Sequence, residues 1–170
     1  MNKYIVCYLD SASLNGKAYE SLMEFLFSKS DTFTYTKLST ENPCDEEDKI
    51  YSENIRKFEN MTKSDFRNRI SKNNYGISSG NEKHVYVLNL KSNTLKSYIK
   101  NKKDINKWNY PECVEDIGFY NKNLSVFESC SHEGLIRLYT DDVQSIERLV
   151  KSGVRIIDTS AIAESDIPVL

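Results

Sequence analysis

The chain has 170 residues, 39% of them hydrophobic and 28% charged, and a formal net charge of −2. That length suits one domain with an ordinary apolar core. The mild acidity excludes a general electrostatic pull toward nucleic acid or an anionic membrane, and no stretch approaches the ~18 consecutive apolar residues that a spanning helix needs.

The first element is "KYIVCYL" (3–9), β-branched and aromatic enough for a buried strand. Its apolar run is too short for a signal-peptide core and Asp10 breaks it, so a soluble cytoplasmic protein is expected. Asp10 itself suits a turn or a helix cap. In "SLNGKAYESLMEFLFSKSD", Leu14, Ala18, Leu22 and Phe25 share one helical face, with Tyr19, Met23 and Leu26 beside it. Ser13 is placed to cap this helix, and Gly16 weakens its first turn. "TFTYTKL" (32–38) alternates in character around Phe33, Tyr35 and Lys37, as a second strand does.

A polar helical excursion follows, over about 43–75. Pro43 opens it, and Asp45, Glu46, Glu47 and Asp48 stand where a helix dipole favours acids. Ile50, Tyr51, Ile55, Phe58, Met61 and Phe66 recur at helical spacing, which predicts one or two largely solvated helices over 46–71. The four acids read first as a solvated, dipole-matched turn and second as a place for a metal or a basic partner. Arg56, Lys57, Lys63, Arg67, Arg69 and Lys72 form a basic stripe that acids interrupt, so no nucleic-acid face is expected. After a loop at 73–83 come a strand "HVYVLNL" (84–90) and a short helix with Leu95, Tyr98 and Ile99 inward. The irregular stretch after it contains Trp108, read as a plug at the core edge, and Pro111.

The last third begins with a hairpin, "EDIGFY" and "LSVFESC", around an Asn-rich turn. "SHEG" then leads into a strand "LIRLYT" and a helix "DDVQSIERLVKSG". Thr140 or Asp141 is the expected cap, Val143, Ile146, Leu149 and Val150 point inward, and Gly153 ends the helix. "VRIID" makes a final strand, and 159–170 is expected to be a loosely held tail. The whole reads as a single α+β domain, a mostly antiparallel sheet with helices packed on it.

A hairpin turning about Lys122 would set His132 opposite Glu112 and Glu128 opposite Asp116. Glu112, Glu115, Asp116, Glu128, His132 and Glu133 would then gather at one end of the sheet. Such a cluster has two readings. It could supply acid/base groups or metal ligands. Alternatively, Ser131 and His132 satisfy backbone groups at a strand exchange, Gly134 permits an unusual φ, and Glu133 is solvated. A metal catalyst normally needs three ligands, HExxH is absent, and so are GxGxxG, GxxxxGK[ST] and GxSxG. Cys7, Cys44, Cys113 and Cys130 lack zinc-ligand spacing and fit structural thiols in a reducing cytosol. No cofactor or metal is expected.

The stretch Pro-Glu-x-x-Glu-Asp-Ile-x-Phe-Tyr (111–120), the Ser-x-Ser-His-Glu-Gly that follows (129–134) and the N-terminal "YLD…L…FLFSKSDTFT" unit (8–34) resemble a group of small bacterial proteins commonly labelled stage III sporulation protein AH. The resemblance implies a shared fold and an accessory, single-domain role of the kind found beside secreted toxins. The functional expectation is a non-catalytic cytosolic binding protein, an immunity-type inhibitor of a bacterial toxin. Asp45, Glu46, Glu47, Asp48, Glu112, Glu115 and Glu128 would meet a basic protein partner. Two alternatives stand beside it: a metal-assisted hydrolase using His132, Glu133 and Asp116, and a sporulation-associated accessory protein.

Overall fold

The computed structural model describes residues 3–37, 45–72 and 83–170, with backbone only at 71, 72, 83 and 132. In chain order the elements are β1 (Lys3–Leu9), α1 (Gly16–Lys29), β2 (Thr32–Thr36), α2 (Glu46–Thr62), β3 (Phe66–Lys72), β4 (Lys83–Asn89), α3 (Asn93–Asn101), β5 (Glu115–Asn121), β6 (Leu124–Cys130), β7 (Leu135–Thr140), α4 (Val143–Lys151) and β8 (Ile156–Ala163). The strands form one sheet in the order β3-β4-β2-β5-β6-β7-β1-β8, and every pairing is antiparallel. This is an α+β domain.

Register explains how the sheet holds its helices. Thr159, Cys7, Leu138, Phe127, Phe119, Phe33, Leu88 and Phe66 stand in one row across all eight strands. The three central phenylalanines are fully buried and meet edge to face, at 5.2 Å for Phe33–Phe119 and 5.9 Å for Phe119–Phe127. Side chains alternate across a strand, so this row and its neighbours two residues away make one apolar face. Ala18, Tyr19, Leu22, Met23 and Leu26 of α1 close over it. So do Tyr51, Ile55 and Phe58 of α2, Leu95 and Ile99 of α3 and Leu149 of α4. Each such side chain contributes about 1.5–3 kcal/mol by leaving water. Trp108 sits within this layer at 1% exposure, and its indole N–H donates to the Tyr19 hydroxyl at 3.0 Å, which in turn donates to the Ile99 carbonyl at 2.7 Å. All four helices therefore lie on one side of the sheet. A small second cluster of Val6, Tyr139 and Ile167 marks the other side.

Several expectations need correction. The described residues of the excursion form one helix, α2, and then a strand, β3, where helix was expected through 71. An edge strand bonds along one side and leaves its side chains in water, so Phe66–Lys72 needs no apolar alternation, and Arg67 and Arg69 are exposed. Pro43 and Cys44, with residues 73–75, lie outside the described residues. The expected loose tail is β8 as far as Ala163, paired with β1 from Lys3↔Ala163 onward. Beyond it, Pro168 accepts from Ser125 N at 2.9 Å and Leu170 N donates to Asn123 at 2.9 Å. Main-chain bonds hold a polar edge sequence without apolar patterning. Two caps shift as well. Asn15 precedes α1, and Asp142 caps α4 by accepting from Ser145 N at 3.0 Å. No helix among the described residues is long and apolar enough to cross a membrane.

Candidate functional site

The hairpin between β5 and β6 decides which acids meet. Lys122 (φ 48°) and Asn123 (φ 72°) both have positive φ, the signature of a two-residue type I′ turn, and Asn121 faces Leu124. An irregularity after Phe119 leaves Val126 as an extra residue, so Phe119 faces Phe127 and Gly118 faces Glu128. Glu128 therefore stands two residues away from its expected partner, Asp116, and the acids separate into three groups.

The first group is the corner at Ser131–Gly134. Ser131 N donates to Asp116 Oδ1 at 2.7 Å, Asp116 N donates to Ser131 Oγ at 3.3 Å, and Ser131 Oγ donates to the Trp108 carbonyl at 3.0 Å. Thr36 Oγ1 lies 3.4 Å from the other Asp116 oxygen. Gly134 (φ 59°) turns the chain out of the short 3₁₀ segment into β7, and Glu133 is exposed. The His132 side chain lies outside the described residues. A cavity of about 70 Å³ beside the corner, bounded by Ser11, Asn109, Cys130 and Ser131, has room for a few waters. Among the described residues no three His, Cys, Asp or Glu side chains are grouped so as to hold a metal.

The second group is an acidic corner built around Tyr110. Asp45 caps α2 by accepting from Asp48 N at 2.9 Å. The Tyr110 hydroxyl donates to Asp48 Oδ1 at 3.1 Å, its ring packs 5.2 Å from that of Tyr51, and Asn54 Nδ2 donates to the Pro111 carbonyl at 3.3 Å. These contacts pin the loop before β5 against the N-terminal half of α2. Glu112, next to Pro111, is exposed on that loop, and Asp45, Glu46 and Glu47 are exposed at the start of α2. The Glu46 side chain is 80% exposed and lies 3.7 Å from Lys49 Nζ. Partial burial, the bond to Asp48 and the nearby charges of Asp45 and Glu47 push the Tyr110 hydroxyl up to about 12. Glu115 is 1% exposed behind this corner and accepts from Tyr110 N at 3.3 Å, so it positions the loop from inside.

The third group lies on the side of the sheet opposite the helices. Glu128 accepts from the Tyr120 hydroxyl at 3.0 Å and the Tyr139 hydroxyl at 3.4 Å, and Arg137 faces it across the β6–β7 ladder. The Arg137 guanidinium stands 6.0 Å from the Tyr8 ring. Burial, and after it the Glu128 charge, pushes Tyr139 up to about 12 and Tyr120 also upward.

No protein-family model matches the chain, and no curated protein or solved structure matches it. The stretches 111–120 and 129–134 interlock: Ser131 bonds Asp116, and Ser129 Oγ donates to the Ile117 carbonyl at 3.1 Å. Of the seven residues expected to meet a partner, Asp45, Glu47 and Asp48 lie around Tyr110, Glu46 stands in the same first turn of α2, and Glu112 is exposed on the loop two residues after Tyr110. Glu115 is buried beneath them and Glu128 is elsewhere. Asp116 and Glu133 belong to the strand-exchange corner. The organising residue of the acidic corner, Tyr110, was missed by sequence reasoning. It contacts Asp48 across 62 residues of chain, and no local spacing reveals that contact. The Glu128–Arg137 pair was missed too, although opposite charges flanking Phe127 and Leu138 across "SHEG" were a readable cross-strand signal.

Proposed function

We propose that the protein is a non-catalytic cytosolic binding module that holds a basic protein partner, in the manner of an immunity-type inhibitor of a bacterial toxin. The observation that supports this reading is the acidic corner. Asp45, Glu46 and Glu47 are exposed at the start of α2, and Glu112 is exposed on the loop that Tyr110 and Pro111 tie to that helix through Asp48, Tyr51 and Asn54. Rigid presentation of like charges suits electrostatic steering of an oppositely charged surface, and it speeds association more than it deepens affinity. Asp48 and Asp45 mainly hold the frame. Glu46, Glu47 and Glu112 are the partner-facing charges.

The test uses the intact protein at micromolar concentration against the purified products of genes adjacent to its own. A basic partner is expected to bind, more weakly as salt rises, and the triple variant Glu46→Lys, Glu47→Lys, Glu112→Lys is expected to lose at least about tenfold in affinity with an unchanged circular dichroism spectrum. Binding that is indifferent to both salt and the triple charge reversal would overturn the proposal. So would the absence of any micromolar partner.

A further inference from the structure

The two edges of the sheet are protected very differently. β3 carries exposed Arg67 and Arg69 and a bulge between Phe66 and Asn68, devices that keep other strands away. The opposite edge, β8, is eight residues long, with five consecutive exposed residues from Ile157 to Ala161. It contains no lysine, arginine or proline, and Asp158 is its single charge. The Asp158 carboxylate accepts from Thr159 N at 2.8 Å and that of Asp166 from Ala163 N at 3.3 Å, so pairing along this edge exchanges these side-chain bonds for main-chain ones. Its only irregularity is at its start, where Ile157 is the unpaired residue of a bulge, 70% exposed. The helix that leads into β8 also has exposed apolar positions. α1 packs on one side of α4, while Val143 and Val150 are 54% and 50% exposed. Seven residues apart, they share one side of that helix.

We infer that β8 pairs antiparallel with β8 of a second copy of this chain, joining two eight-stranded sheets edge to edge across a twofold axis. Antiparallel pairing that keeps the helices of both copies on one side must oppose residues of the same face. Thr159 is level with the core residue Cys7, so the odd-numbered residues from Thr159 to Ala163 face the helix layer. Placing Ser160 on the axis sets Thr159 against Ala161 of the other copy and Asp158 against Ile162. The two Asp158 carboxylates then stand ~13 Å apart along the seam. No like charges meet. The patch is its own complement and closes after two copies, and the arginine-guarded β3 edge stops further growth.

The size of the interface sets its strength. A strand of eight residues is ~26 Å long, and one sheet layer plus one helix layer is ~20 Å deep, giving ~500 Å² per copy. The resulting total of ~1,000 Å² is at the lower limit for a specific interface, so a weak dimer that forms as concentration rises is expected.

Sedimentation equilibrium of the purified protein from micromolar to several hundred micromolar should show monomer and dimer only. The double variant Thr159→Lys, Ala161→Lys puts four ammonium groups on one side of the seam and should weaken dimerisation at least about tenfold. Ser160→Cys should cross-link under mild oxidation beyond wild-type background, because directly opposed Cα atoms are ~4.5–5.5 Å apart, and Asp158→Cys should not. A monomer throughout, assembly past the dimer, or a dimer untouched by the lysines would each overturn the inference. Ser160→Cys, a small change on an exposed position, keeps the test decisive if the double variant misfolds.

Discussion

Asp116 offers the sharpest test of what the Ser131–Gly134 corner is for. Its carboxylate accepts from Ser131 N at 2.7 Å, and its own backbone has a positive φ of 44°. Asp116→Ala removes a charge-assisted bond, worth about 1.5–3 kcal/mol. It also places alanine in a left-handed conformation that Asp and Asn tolerate better, adding up to ~1 kcal/mol. The expected loss is therefore about 2–4 kcal/mol, or roughly 4–16 °C in Tm for a domain of this size. Asp116→Asn retains an amide oxygen for Ser131 N and the same conformational tolerance, so it should cost under ~1 kcal/mol. Asp116→Gly, which loses the bond but fits the backbone, should fall between them. Urea denaturation followed by circular dichroism, with m-values held constant, reads all three. If Ala and Asn destabilise equally, or if neither does by more than ~0.5 kcal/mol, the carboxylate does not hold the corner and the structural reading of this turn fails.

Gly118→Ala tests the side of the sheet without helices. A Cβ there would lie 2.6 Å from Thr34 Oγ1 and 2.8 Å from the Tyr120 ring. Tyr120 is 4% exposed and tied to Glu128, so the ring cannot yield cheaply. A loss of about 1–3 kcal/mol is expected in the same denaturation assay, and a silent substitution would contradict this packing. Asp142 sets an acid-side dependence. Bonds from Ser145, and then Lys29, hold its carboxyl down at about 2 in the folded chain, against an unfolded value of ~3.9. A depressed folded value means the contribution is intact above the unfolded pKa and is lost as pH falls through the folded one. Melting curves between pH 5 and 2 should therefore decline more gently in Asp142→Asn, and parallel declines would count against the cap.

The elements that were legible in the sequence carry their own period. Ala18, Leu22 and Leu26 announce α1 because one helical face must bury itself, and the β5–β6 hairpin is announced by alternation on both sides of an Asn-containing turn. β3 and the second half of β8 announce nothing. They are edges, stabilised through main-chain bonds to one neighbour, and edge positions such as Arg67, Arg69, Thr159 and Ser160 are solvated. Helical spacing running from Ile50 to Met61 was extended to Phe66 because an apolar residue falls there by chance of the strand's start. The pairing of β2 with β5 and of β1 with β7 brings together residues roughly 80 and 130 positions apart, and no local pattern encodes it. Tyr110 belongs with this second kind of information, since it contacts Asp48 only after the sheet has formed.

A bulge of one residue decides which acids can meet. With the turn centred between Lys122 and Asn123 and Val126 inserted, Glu128 faces Gly118 and is taken up by Tyr120 and Tyr139, on a different face from Glu115. Acid–base or metal chemistry needs side chains that converge within hydrogen-bonding reach of one reacting atom. Electrostatic recognition needs only that charges of one sign share an exposed surface on a firm frame. The proposed reading draws on the second requirement: Glu46 and Glu47 are exposed at a helix end and Glu112 on a loop joined to that helix by the Tyr110–Asp48 and Asn54–Pro111 bonds. Asp116, the one acid of the expected cluster that is firmly held at the strand exchange, has one carboxylate oxygen bonded to a backbone amide and the other facing Thr36. A partner that reads this surface would therefore respond to the loop carrying Glu112 as strongly as to α2, and loosening that loop by Tyr110→Phe should weaken association without changing any charge.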